Sequence, residues 1–76
     1  MIETKIKLDK FSDVHDFVKL CMMCPGDIWV SCGRWVVSGK SIMGMYSLDL
    51  SKDLSLEIDG EIPTEVREGM KKFIIN

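Results

Sequence analysis

Gly39-Lys40-Ser41-Ile42-Met43-Gly44-Met45-Tyr46-Ser47-Leu48-Asp49-Leu50 is the stretch around which the rest of this 76-residue chain is arranged. Ser41 reads as a helix start, because a serine oxygen placed there accepts a hydrogen bond from a free N–H of the first turn. The turn that follows, Ile42 to Tyr46, is apolar on every side. A helix of about one and a half turns makes too few internal hydrogen bonds to persist alone in water. It must plug a core or offer its side chains to a partner.

Upstream, Ile28-Trp29-Val30-Ser31-Cys32 and Arg34-Trp35-Val36-Val37 flank Gly33. Both runs are β-branched and aromatic, so they predict a tight hairpin. Before them, Val14, Phe17, Val18, Cys21 and Met22 recur at helical spacing and predict a core-facing stripe. Ser12 suits the cap of that helix, Asp13 and Asp16 suit its positive end, and Pro25-Gly26 closes the segment. Residues 2–8 alternate, with Ile2, Thr4, Ile6 and Leu8 on one face and Glu3, Lys5 and Lys7 on the other. This is a strand with one wet face. Downstream, Leu54, Leu56 and Ile58 alternate with Ser55, Glu57 and Asp59 in a second such strand. Pro63 suits the first turn of a last helix, whose buried face is Val66, Met70, Phe73 and Ile74.

The order is therefore βαββαβα. Strands with one apolar face and helices with one apolar stripe pack as two layers, helices on one side of the sheet and water on the other. The size and charge are consistent with one small domain spanning 1–76. A chain this short buries only about 60% of the surface its unfolded form exposes. Ten Lys+Arg stand against 12 Asp+Glu, with no basic block, so a nucleic-acid partner is not expected. The apolar runs are far below the roughly 20 residues that span a bilayer. The N-terminus is not a secretory signal. Three cysteines do not make a disulfide framework, and a reducing cytoplasm is the expected compartment.

The pattern Lys-Ser-Ile-Met-Gly-x-x-Ser-Leu, read at Lys40 to Leu48, closely resembles the regulatory-serine segment of HPr. HPr is the small phosphocarrier of the bacterial sugar phosphotransferase system. The resemblance covers nearly the whole chain and is densest from Phe17 to Leu50. It implies an α+β, two-layer open-faced β-sandwich, a four-stranded antiparallel sheet with three helices on one face. It also implies that Ser41 is the position a dedicated serine kinase phosphorylates in some members. The patch that meets that kinase and a transcriptional repressor maps to Ile42, Met43 and Tyr46, with Lys40 beside the serine. Tyr46 stands where the family has methionine.

The family's active-site loop, Gly-Leu-His-x-Arg-Pro, has no counterpart. Aligned on Phe17-Val18-Lys19, the loop here is Asp9-Lys10-Phe11-Ser12, which sets Lys10 in the histidine's place, Ser12 in the arginine's and Asp13 in the proline's. A phosphoryl group needs cationic and N–H partners for its three oxygens, and an acid repels it. The one histidine, His15, aligns with the family's only if the loop is shortened by about five residues. Otherwise it is a helix residue paired with Asp16 or facing Lys19. Gly39-Lys40-Ser41 also ends like a P-loop, but the required upstream glycine is Arg34, which excludes that motif.

Cys21-Met22-Met23-Cys24 is a C-x-x-C at a helix end, where a thiolate is disfavoured. The expected state is a buried Cys21 with Cys24 as an ordinary helix-end residue, and no metal site or cofactor. Trp29 and Trp35 lie on the hairpin. They either cover the sheet or form a docking patch near Tyr46. Three functions follow. The first is a binding or regulatory module, not an enzyme, that docks protein partners through the Ser41 helix. The second is a phosphocarrier with His15 as phosphoacceptor. The third is a structural or oligomerisation module built on the tryptophan hairpin.

Overall fold

The computed structural model describes residues 2–75; Met1 and Asn76 lie outside them, as do the extreme ends of the expected 1–76 domain. The elements in chain order are β1 (Ile2–Ile6), α1 (Phe11–Met22), β2 (Ile28–Cys32), β3 (Trp35–Ser38), α2 (Ile42–Tyr46), β4 (Leu54–Ile58), α3 (Thr64–Met70) and β5 (Ile74–Ile75). The strands form one antiparallel sheet in the order β3-β2-β4-β1-β5.

β4 sits at the centre because both of its neighbours find an apolar face to match. Leu56 stands opposite Thr4 of β1 and Val30 of β2, and Ile58 opposite Ile2 and Ile28. Alternation then sends Leu54, Leu56, Ile58, Ile28, Val30 and Ile6 into one buried cluster with Val14, Phe17 and Cys21 of α1, Met45 of α2, and Val66 and Met70 of α3. All three helices therefore cover one face of the sheet, and the other face meets water. The β2–β3 hairpin turns on Gly33 and Arg34. Gly33 has φ +60°, a conformation that favours glycine, while no other residue type takes a positive φ among the described residues. That is the pattern of a type II′ turn, whose twist matches the flanking strands.

The sheet has a fifth strand where four were expected. α3 stops at Met70, and Lys71–Phe73 turn the chain so that Ile74 and Ile75 pair with Ile6 and Lys5 of β1. Ile74 is thus a strand residue at an exposed edge and not part of the helix's buried face. β-branched residues lose side-chain freedom in a helix, and the free edge of β1 supplies backbone partners instead. Phe73 stays in the core, edge-on to Phe17 at 6.1 Å between ring centroids, and its carbonyl accepts from Lys7 N–H at 2.9 Å.

α1 also departs from its expected stripe. Met22 is 65% exposed. Eight residues at about 100° each leave it about 80° away from Val14 around the helix, off the edge of the buried face. No helix among the described residues is long and apolar enough to cross a membrane.

Candidate functional site

The start of α1 is closed by an acid. Lys10 is the last extended residue, with φ −129° and ψ 159°, and Phe11 is the first helical one. The Asp13 carboxylate reaches back and accepts from the N–H groups of Asp9 at 3.1 Å and Lys10 at 3.3 Å. Ser12 is therefore not the cap. It lies inside the first turn, because a carboxylate three residues into the helix satisfies the free donors better than a serine already holding helical dihedrals. The N–H groups of Asp9 and Lys10, just ahead of α1 and close to where the resemblance puts a phosphoryl site, are thus engaged by the protein's own anion. Lys7 Nζ is occupied too, donating to the carbonyls of Leu50 at 3.1 Å and Ser51 at 2.7 Å.

His15 lies one turn further along α1, on the surface. Its partner is neither Asp16 nor Lys19. The Tyr46 hydroxyl on α2 meets His15 Nε2 at 2.7 Å, with the rings 6.0 Å apart at 69°. Asp16 points the other way, to Lys72 Nζ at 3.6 Å on the chain beyond α3. The reason is tertiary: α2 crosses α1 at this point, and a phenol presented there outcompetes a carboxylate one residue away on the same helix.

α2 begins as its sequence requires. Ser41 Oγ accepts from Gly44 N–H at 3.1 Å and the hydroxyl side of the residue remains exposed. Gly44 lets this short helix lie close to the sheet, since a Cβ there would sit 3.2 Å from Val37 Cβ. Only Met45 is fully buried; Ile42 is half-buried, while Met43 is 76% exposed and Tyr46 lies at the surface. Lys40 does not stand over Ser41. Its Nζ donates to the Cys24 carbonyl at 2.7 Å, just past the end of α1, where a cation also complements the helix's negative end.

Phe11, read in the sequence only as a loop residue, completes this surface. It is 71% exposed and packs edge-to-face on Tyr46 at 5.6 Å and 76°. Its signal was present: Phe11 and His15 are four residues apart, so any helix reaching back to Phe11 sets both on one face. The result is a ridge of Phe11 and His15 from α1 and Met43 and Tyr46 from α2, with Ser41 at its end.

The cysteines stand apart from it. Cys21 is fully buried, and burial pushes its thiol up to about 12, reinforced by Cys24 and opposed by Lys40. Cys24 is buried as well, not an ordinary helix-end residue, and burial raises its thiol despite Lys40. Neither is a ready nucleophile. Among the described residues no three His, Cys, Asp or Glu side chains gather as a metal site would need. The tryptophans do not join the ridge through Tyr46, whose aromatic neighbours are Phe11 and His15. Trp29 lies on the open sheet face and Trp35 at the tip of the hairpin, 71% exposed, so neither is a core residue.

Comparison with known proteins is informative at the level of structure. No family model matches the sequence, and no curated protein matches it. Among solved structures, the crystal structure of HPr-C-His from Thermoanaerobacter tengcongensis is similar with a TM-score of 0.77 and 25% identity, over 95% of this chain and 89% of that one. The fold is HPr-like. β5 at the sheet edge is the feature beyond the expected four strands.

Proposed function

We propose that this chain is an HPr-like binding and regulatory module that docks protein partners through the α1–α2 ridge and has no catalytic residues of its own. The observation that carries this reading is the exposed cluster of Phe11, His15, Met43 and Tyr46. Clustered aromatic and methionine side chains left in water are worth most when another surface covers them. Two features weigh against phosphoryl transfer. Asp13 sets a carboxylate at the mouth of α1, on the N–H groups of Asp9 and Lys10, and Tyr46 engages one of the two ring nitrogens of His15.

Ser41 supplies the switch in this reading. A phosphate there would add roughly −1.5 to −2 of charge at the end of an apolar ridge and compete with the Cys24 carbonyl for Lys40. Partners belonging to the bacterial phosphotransferase system, a serine kinase or a transcriptional regulator fit such a surface, and the cytoplasm is the matching compartment.

The test is to weigh the intact protein after incubation with enzyme I and phosphoenolpyruvate, and separately with an HPr serine kinase and ATP. The expected result is no phosphoryl group from the first and one on Ser41 from the second. Transfer to His15 by enzyme I at a useful rate would overturn the reading and make the chain a phosphocarrier.

A further inference from the structure

The sheet face turned away from the helices carries a row of side chains that neither the core nor the ridge uses. Ser38 of β3 stands opposite Trp29 of β2, Trp29 opposite Glu57 of β4, and Glu57 opposite Glu3 of β1. Residues directly opposite on neighbouring strands share a face, with Cβ atoms about 4.5–5.5 Å apart, and like charges so placed repel. Lys5 lies in the next row, opposite Ser55. Among the described residues, no lysine or arginine nitrogen comes within 4.0 Å of either Glu3 or Glu57. Trp29 is 41% exposed between these carboxylates and Val36, and the face holds a shallow groove of about 510 Å³. At its rim, Asp59 N–H donates to the Asp27 carbonyl at 2.9 Å, and both aspartates are exposed.

We propose that this open face docks a basic, arginine-bearing segment of a partner protein. Charge complementarity selects the occupant. Glu3 and Glu57, with Asp27 and Asp59 at the rim, face one lysine, so an anionic surface is repelled and an apolar one would leave carboxylates buried without partners. A second copy stacked face to face would set the acidic row against itself. A guanidinium laid on the Trp29 indole gains the attraction of its ring face, and its fork of donors reaches the neighbouring Glu57 carboxylate. A further cation beside it relieves the repulsion between Glu57 and Glu3. Because the ridge lies on the other side of the sheet, both surfaces can be occupied at once, and the module can join two proteins. This inference stands whether or not Ser41 is a switch.

The experiment is an NMR titration of the intact chain with an end-capped tetra-arginine peptide, with a tetra-glutamate peptide run alongside. The expected result is saturable movement of the Trp29 indole N–H and the Glu3, Ser31 and Glu57 amides, with Phe11, Met43 and Tyr46 unmoved. Affinity should weaken about tenfold in Glu3→Gln/Glu57→Gln, and further as salt is raised. That double variant removes a repulsion at the surface, so it keeps the fold. Trp29→Phe retains an aromatic face and should bind more weakly than wild type but better than Trp29→Leu. Unsaturable drift, shifts confined to the ridge, equal response to tetra-glutamate, or a face covered by a second copy in sedimentation would each overturn the proposal.

Discussion

α1 and α2 meet across the Tyr46–His15 contact, yet they are helices for different reasons. α1 has 12 residues, a carboxylate reaching back over its first turn and three side chains in the core: Val14, Phe17 and Cys21. α2 has five residues, one hydroxyl cap and one fully buried side chain, Met45. A long amphipathic segment anchors itself at several points along its length. A helix of five residues exists only where a cap and a close backbone approach hold it, and here the approach depends on Gly44 against Val37. The consequence is functional: the helix that carries the exposed Met43, Tyr46 and Ser41 is also the one with least structure of its own.

The strongest way to break this contrast is Met45→Ala. It should cost about 2–5 kcal/mol, lowering the thermal midpoint steeply in so small a domain, because it removes the only fully buried side chain of α2 and leaves the half-buried Ile42 as its remaining core contact. Retention of the wild-type midpoint would show that α2 is held elsewhere.

A matched pair of cap deletions sharpens the comparison. Ser41→Ala and Asp13→Ala should each cost about 1 kcal/mol in denaturant unfolding. The damage should differ in extent. Hydrogen exchange should speed up across the whole of α2 in the first variant, and only in the first turn of α1 in the second. Equal spread in both would contradict the account.

Tyr46→Phe probes the contact between the two helices. It removes the hydroxyl at His15 Nε2 and keeps the ring against Phe11, so stability should fall by about 0.5–1.5 kcal/mol while the His15 imidazole resonances move.

The smallest effect lies just beyond α2. The Ser51 hydroxyl and N–H both donate to Asp49, and these bonds hold its carboxyl below the usual carboxylate range, with Lys52 and Lys7 adding slightly. A carboxyl whose folded pKa is depressed contributes stability above its unfolded value of 3.8, and loses it as pH falls through the lower folded value. Asp49→Asn should therefore lower stability slightly at neutral pH, leave it nearly unchanged once the pH is below the folded value, and so flatten the acid limb, as acid titration followed by circular dichroism would show.

Much of the fold was legible because it depends on patterns that neighbouring residues set. Strand alternation at Leu54–Ile58, the hairpin about Gly33 and the cap at Ser41 are local matters, and the structure has all three. The site was legible in part. Ser41, Ile42, Met43 and Tyr46 are identifiable from the sequence, but the capping pattern points to Ser12 as the helix start and so leaves Phe11 in the loop, whereas α1 begins at Phe11. Adjacency in sequence suggests Lys40 beside Ser41, whereas its long side chain reaches the end of another helix. Cys24 went into the core through a turn that periodicity does not describe.

The sequence by itself determined which residues can turn, cap or face a core, since dihedral preference and apolar spacing act within a few residues. Tertiary structure alone decided the partner of His15, the direction of Lys40, the pairing of Ile74–Ile75 with β1 and the alignment of Trp29, Glu57 and Glu3 in one row. Each of these joins segments far apart in the chain. Their proximity is set by the packing of the whole sheet and its helices, and no local preference encodes it.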